Sequence, residues 1–316
     1  MEKKYKLTKE TINVVSKTLY RIEALRDFND VKKGDKGGFI EKEENLSQSD
    51  NCWVYGNARV FDKAKVHDNA KVSGNAKVYG GAIVSNNAHV YGNAKVCENA
   101  VVHDNAHVYG NAEVFNYAEV YDNAEVYGIA WVFDNAKVHG NTVVRGNAKV
   151  RGNATVFGYS EIFGNAEIFG DAWVYGKARV FDKAKVYGHA EIFDDAKIYD
   201  DAKIYGIAWV YRNAEVCGNA EVCGDARICG DAKVESNGDY IVFKNWWSSG
   251  RYFTWTKSND MWKVGCFYGT GKELIDKAYR DSEISGREYE RIVKYVEAIN
   301  NDKVTHWMPL PDLPTE

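Results

Sequence analysis

Hydrophobic residues recur along most of the chain with a strict period of six. Every sixth residue from 54 to 234 is Val or Ile, which makes 31 consecutive positions. A small residue stands four places after these, at 30 positions from 58 to 232, and all are Ala except Thr142 and Ser160. Self-similarity at a fixed period is the signature of a repeat architecture rather than of a single globular core.

The repeating unit reads Ala-x-Val-aromatic-Gly/Asp-Asn, as in residues 106–111. In an extended strand alternate residues share a face, so the Ala and the Val point inward together. Gly, Asp and Asn then favour a turn, since they tolerate left-handed backbone angles. An α-helix would scatter a period of six around its surface. Three hexads should therefore close a triangular coil, and the repeats predict about ten coils.

The repeat resembles the tandem hexapeptide of left-handed parallel β-helix proteins, whose best-known members are acyltransferases. The stretch before it resembles the entry segment of YdcK-like hexapeptide-repeat proteins, which occur in bacteria, phages and prophages. It reads Ala24-Leu25-Arg26-Asp27-Phe28, then Gly37-Gly38-Phe39-Ile40, then Asn51-Cys52-Trp53-Val54. The resemblance implies an all-β, single-stranded, left-handed parallel β-helix. For an enzyme of this kind it implies CoA-dependent O- or N-acyl transfer through a His base, and for the assembly a trimer.

We predict three parts: an N-terminal cap at 1–53, the β-helix at 54–235 and a small α+β domain at 236–316. A cap is expected because the first coil would otherwise expose its inner layer and its strand edge. Within the cap, Gly34, Gly37 and Gly38 are interpreted as a turn.

The period stops after residue 235, and the composition changes. Three strands are predicted, at 240–246, 252–256 and 261–267. Capping boxes predict two helices, opening at Thr270 with Glu273 and at Ser285 with Glu288. The tryptophans of this domain are expected to lie in its core and cap contact; they are Trp246, Trp247, Trp255 and Trp262.

Aromatic residues dominate the position that follows each core aliphatic: 19 of these 30 are Tyr or Phe. We favour ladder stacking alone, which makes the surface rigid, as the explanation of this many outward aromatics. One face is richer, and its predicted interface or ligand patch comprises Phe157, Trp173, Tyr175, Phe193, Trp209 and Tyr211. Exposed apolar patches usually mark interfaces, so we expect a homo-oligomer, with a partner or ligand surface as the alternative.

Histidines are the candidate catalytic residues if the chain is an acyltransferase. His89 and His107 occupy equivalent positions on adjacent coils, about 4.8 Å apart by strand spacing, and His103 lies around the corner from His107. These three are the predicted base and its neighbours. A two-His site lacks a third ligand, so no metal is predicted.

Composition excludes several classes of function. The net charge is −4 with both signs mixed along the chain, so no basic patch for nucleic acid is expected. No apolar run approaches the roughly 20 residues of a membrane span, and no signal core follows Met1, so we expect a cytoplasmic protein. The six cysteines lack zinc-site spacing.

The repeats contain no loop insertion to shape a pocket, and no polar constellation converges. Acyl transfer needs a base within about 3 Å of the acceptor proton in a site that excludes water. We therefore favour a non-catalytic binding or structural solenoid without cofactor that presents its columns to a protein or small-molecule partner, as a phage-encoded sequestering or inhibitor protein would. The alternative is an acyltransferase that uses acyl-CoA.

Overall fold

A computed structural model, which describes residues 2–14, 16–246 and 249–301, confirms a parallel β-solenoid of about 11 turns. The chain divides into two compact units. The first contains residues 1–231 and 235–237, and the second contains residues 232–234 and those from 238 on.

The solenoid has three faces, and each is a parallel sheet of two-residue strands. Face 1 contains Arg59–Val60, Lys77–Val78, Lys95–Val96, Glu113–Val114, Trp131–Val132, Lys149–Val150, Glu167–Ile168, Lys185–Val186, Lys203–Ile204 and Glu221–Val222. Face 2 contains Trp53–Val54, Lys71–Val72, His89–Val90, His107–Val108, Glu125–Val126, Val143–Val144, Glu161–Ile162, Arg179–Val180, Lys197–Ile198 and Glu215–Val216. Face 3 contains Lys65–Val66, Ile83–Val84, Val101–Val102, Glu119–Val120, Lys137–Val138, Thr155–Val156, Trp173–Val174, Glu191–Ile192, Trp209–Val210 and Arg227–Ile228.

Strands of one face pair with a constant register of 18 residues, so that identical repeat positions lie one above another. Val90 pairs with Val108, for example, and the His89 N–H donates to the Ala106 carbonyl at 2.9 Å. The inward Val, Ile and Ala side chains are fully buried, as the period predicts. Burial contributes about 1.5–3 kcal/mol for each large aliphatic side chain before entropy is subtracted.

Each corner depends on one residue with left-handed backbone angles. Gly110 has φ of 71°, and a Cβ there would lie 3.0 Å from the Gly128 nitrogen on the next turn. Asp122 occupies an equivalent corner position with φ of 57°. Its carboxylate accepts from the Gly140 N–H of the next turn at 3.0 Å, and this bond offsets part of the cost of the left-handed angle.

The N-terminal residues add a turn ahead of Val54. The strands Tyr5–Val14 and Lys17–Ala24 are antiparallel, and Lys36–Ile40 pairs with the second of them. Phe39 and Ile40 of that strand also pair in parallel with Arg59–Val60, and Leu46, just after the 3-10 turn Glu43–Asn45, bridges to Val66. This extra turn explains why about 11 turns are seen where about ten were predicted.

The glycines of this region only partly form the predicted turn. Gly34 has φ of 93° and lies in a turn, whereas Gly37 and Gly38 belong to the strand Lys36–Ile40. A Cβ on Gly38 would lie 2.5 Å from the Ala58 carbonyl oxygen. These two glycines therefore permit close approach of the backbone to the first coil.

The second unit is an antiparallel sheet with two helices. Its strands are Tyr240–Lys244, Tyr252–Thr256, Met261–Val264 and Phe267–Gly269; the helices are Gly271–Asp281 and Glu283–Asn301. The short strand Lys233–Val234 and the 3-10 turn Asn237–Asp239 precede them. The core comprises Phe253, Trp255, Trp262, Val264, Leu274, Ala278, Tyr289, Val293 and Val296.

Several details of this unit differ from expectation. The sheet has four strands instead of three, and the second helix begins at Glu283, where the Ser285 N–H donates to the Ser282 hydroxyl at 3.1 Å. The capping box at Thr270 is confirmed. Trp255 and Trp262 are buried as predicted, but Trp246 is 71% exposed, and Trp247 lies outside the described residues. No helix in the described residues has the length and apolarity to cross a membrane.

Candidate binding surface

One edge of face 3 carries an uninterrupted stack of seven rings, here called the aromatic column. Neighbouring ring centroids lie 4.5–5.1 Å apart, and the ring planes differ by only 3–8°. The stack follows from the repeat, since each ring succeeds a core aliphatic of face 3 and the next turn lies one strand spacing away. Its members are His103, Tyr121, His139, Phe157, Tyr175, Phe193 and Tyr211.

Beside the column, three successive strands present Trp173, Glu191 and Trp209 outward, here called the tryptophan strip. Trp173 meets Phe157 edge to face, with centroids 6.2 Å apart and planes at 79°. Trp209 meets Phe193 in the same way, at 6.0 Å and 76°. The column thus fixes the orientation of both indoles, yet Trp173 remains 48% exposed.

Charged groups lie within the strip. The Tyr175 hydroxyl donates to Glu191 Oε2 at 3.1 Å, and burial together with the Glu191 charge raises the pKa of Tyr175 to about 12. The Arg227 guanidinium lies 4.5 Å from the Trp209 ring centroid, a cation–π contact. The six side chains predicted as a patch therefore lie together on one surface, while their role as an interface or ligand site stays a prediction.

The candidate catalytic histidines do not form one group. His89 and His107 are neighbours on face 2, with ring centroids 5.9 Å apart. His89 Nε2 lies 2.9 Å from the Ser73 hydroxyl oxygen, and its ring contacts Tyr91 at 4.4 Å. Burial, followed by the His107 charge, lowers the pKa of His89 to about 4. A base this weak is poorly matched to proton abstraction near neutral pH.

His103 belongs to the aromatic column instead. Its ring stacks on Tyr121 at 5.0 Å, and its Nδ1 lies 3.1 Å from Asp104 Oδ2. The contacts of the described residues join it to neither His89 nor His107. Across the same part of the chain, no cluster of three or more His, Cys, Asp or Glu side chains is arranged to hold a metal ion.

A groove that sequence reasoning missed runs along the corner between faces 3 and 2. It has a volume of about 650 Å³ and is lined by Asn and Asp from successive turns. Asn69, Asn87 and Asn105 donate in sequence to the next amide oxygen at 3.2 Å, in a ladder that continues to Asn123. The sequence feature that could have predicted this groove is the Asn that ends many hexads. Because these amides bind one another, the ladder stabilises the corner.

Comparison with known proteins gives one partial likeness. Over 49 residues the chain is 47% identical to a protein of Escherichia coli K12 called uncharacterized acetyltransferase YdcK. The chain is similar to YdcK in this segment. The match covers 15% of this chain and 15% of the relative, so the chain spans less than a sixth of that relative's length. No family model matches.

Together with the solenoid fold, this match confirms the resemblance to YdcK-like hexapeptide-repeat proteins. The word acetyltransferase describes the relative, which shares only a short segment. For this chain, acyl transfer by His89 and His107 and binding by the tryptophan strip both stay predictions.

Proposed function

We propose that the chain is a non-catalytic binding protein, and that the aromatic column with the tryptophan strip is its binding surface. The observation that carries the proposal is the pair of indoles, Trp173 and Trp209. Each packs edge to face against a ring of the rigid stack, and Trp173 stays half exposed. The proposal extends to a homo-oligomer, a trimer as the resemblance implies, and to a place in the cytoplasm, as expected from the sequence.

Rigidity supports binding at this surface. Association normally costs about 0.5–1.5 kcal/mol for each mobile side chain that becomes immobilised. Trp173 and Trp209 already contact Phe157 and Phe193, and the Tyr175 hydroxyl is bound to Glu191. A partner that contacts the strip would therefore find its principal side chains already ordered.

A second candidate function is CoA-dependent acyl transfer, which is favoured by the likeness to YdcK. The base would be His107 or His89. Against this candidate stand the low pKa of His89 and the separate placement of His103. The uninterrupted two-residue strands from Trp53–Val54 to Arg227–Ile228 also offer no inserted loop to enclose an acyl-CoA.

A thermal-shift screen separates the two functions. A ligand raises the melting temperature only if it binds the folded protein. Since a non-catalytic binding protein of this kind is not expected to bind acetyl-CoA, its melting temperature should stay unchanged. Stabilisation by acetyl-CoA that disappears in His107→Ala would contradict the proposal and establish the second candidate.

Sedimentation of the wild type and of the double variant Trp173→Ser/Trp209→Ser then asks what the strip binds. If the strip joins copies of the chain, the double variant has a smaller native mass. If it binds another partner, the two proteins have the same mass.

A further inference from the structure

The geometry points to a glycan as the partner of the tryptophan strip: an extended chain of β-1,4-linked pyranose sugars, lying along the solenoid axis with sugar rings packed on Trp173 and Trp209. This inference rests on the proposed function, since it names the class of ligand that the same surface takes.

The spacing of the two indoles is the first reason. Trp173 pairs with Glu191, which pairs with Trp209, so the indoles are two strand spacings apart, or about 9.6 Å. An extended β-1,4-linked chain advances by about one strand spacing with each sugar. Alternate sugars of such a chain can therefore reach Trp173 and Trp209 together, while the sugar between them lies over Glu191. The sugar on Trp209 takes the place of the Arg227 guanidinium, which lies 4.5 Å from the Trp209 ring centroid.

The orientation of the indoles is the second reason. The rings of the aromatic column are stacked along the axis, so their planes lie across it. Trp173 and Trp209 lie at 79° and 76° to rings of that stack, so both indole planes run along the axis. Sugars that stack on aromatic rings present their C–H faces, and a chain parallel to the axis would meet both indoles with the same face.

The polar groups of the strip are the third reason. Glu191 Oε2 accepts from Tyr175, whereas Glu191 Oε1 has no hydrogen-bond partner among the described residues, so it is available to a sugar hydroxyl. Thr155 precedes Trp173 on the face, and Arg227 follows Trp209. Aromatic and polar side chains thus alternate. A protein interface would instead concentrate its apolar residues in a central patch with a polar rim.

Face 1 provides a matched control. Trp131 meets Phe115 edge to face at 6.1 Å and 78°, which is the geometry of Trp173 against Phe157. It has comparable exposure, at 38%. However, the residues at two strand spacings from Trp131 are Lys95 and Glu167, so it has no second indole there. A sugar chain can stack on Trp131 at one point only.

The test measures binding of cellohexaose and chitohexaose to the full chain by isothermal titration calorimetry, with α-linked maltohexaose as the control ligand. Wild type is expected to bind at least one β-linked hexasaccharide with a Kd below about 1 mM, which corresponds to about −4 kcal/mol. Binding to maltohexaose should be at least tenfold weaker, since an α-linked chain curves away from a flat strip. Trp173→Ala and Trp209→Ala should each weaken β-linked binding at least tenfold, and Glu191→Gln about threefold, whereas Trp131→Ala should leave it unchanged.

Three outcomes would overturn the inference: no binding of either β-linked hexasaccharide by wild type, equal weakening by Trp131→Ala, or a native mass that falls in the Trp173→Ser/Trp209→Ser variant. The last would show that a second copy of the chain covers the strip, and the proposed binding surface would stand with a different occupant. A separate result would contradict the proposed function itself: stabilisation by acetyl-CoA that depends on His107. Circular dichroism of each variant confirms that it is folded.

Discussion

The histidine pair of face 2 and the tryptophan strip of face 3 are produced by the same hexad, yet they differ in how many contacts their side chains make within the solenoid. His89 contacts Ser73, Tyr91 and His107, so most of its interactions are made within the solenoid. Trp173 meets Phe157 edge to face and leaves about half of its surface in solvent. A rigid repeat can therefore bring ionisable and aromatic side chains together without making a binding or catalytic site. The two regions differ in the exposure of Trp173, which exceeds that of His89.

The largest expected effect comes from the corner beneath the strip. In Gly176→Ala the new Cβ would lie 2.7 Å from the Asp194 nitrogen, at a position with φ of 71°. Left-handed angles and overpacking together should lower the free energy of unfolding by about 3 kcal/mol, measured by urea denaturation. Gly224→Ala is the control, because it has φ of 62° and no atom within 4 Å. Its cost should be about 1–2 kcal/mol, and equal costs would show that the contact is unimportant.

A smaller effect is expected from removing one ring of the aromatic column. Phe193 stacks on Tyr175 and Tyr211 and meets Trp209 edge to face. Since the ring is half-buried, Phe193→Ala should lower the free energy of unfolding by about 2 kcal/mol, less than for a core Phe. His107→Ala should cost under about 1 kcal/mol. If His107→Ala costs as much as Phe193→Ala, the two surfaces do not differ in their structural role.

The pH dependence of stability probes the histidine pair. The pKa of His89 is lowered from 6.5 to about 4 in the folded protein, so the unfolded chain takes up this proton first as the pH falls. Stability linked to His89 is complete above pH 6.5 and is lost as the pH falls to 4. After allowance for the half-exposed ring, the loss is on the order of 1 kcal/mol. Thermal denaturation of His89→Gln should show a weaker decline across this window; an identical decline would assign the effect to other groups.

The smallest effect on stability is expected from the strip itself. Trp173→Ser should lower the free energy of unfolding by less than about 1 kcal/mol, because 48% of Trp173 is already exposed, whereas Phe193 has rings stacked on both of its faces. The measurement is urea denaturation beside Phe193→Ala. A cost comparable to that of Phe193→Ala would mean that Trp173 contributes to the stability of the stack and is not primarily a binding residue.

Sequence reasoning predicted the solenoid because its inner layer varies little, with Val or Ile at one position and Ala at the other except at Thr142 and Ser160. Val90 and Ala106 are fully buried, and the same residue types repeat every turn. The extra turn escaped prediction because the period is broken ahead of the repeats. Ile40 and Leu46 are six residues apart, but Leu46 and Val54 are eight apart. A count that starts at Val54 therefore omits a turn whose pairing only the structure reveals.

The candidate site was predictable in part. Column positions follow from the 18-residue register, so Phe157, Tyr175 and Phe193 could be placed together from sequence. The direction of each ring could not, because stacking and edge-to-face packing compete at equal spacing. The placement of His103 beside His107 fails for another reason: the two lie on either side of a corner, and His103 stacks on Tyr121 along face 3 whereas His107 lies on face 2.

The three-sided register has a consequence for how such a chain can change in length. Deleting a single hexad between Trp173 and Trp209 would turn every later residue onto a neighbouring side of the prism and separate the two indoles. Deleting three hexads would keep both on one side and bring them to adjacent strands. Insertions or deletions can therefore change the length of this surface, with both indoles kept on one face, only in multiples of three hexads.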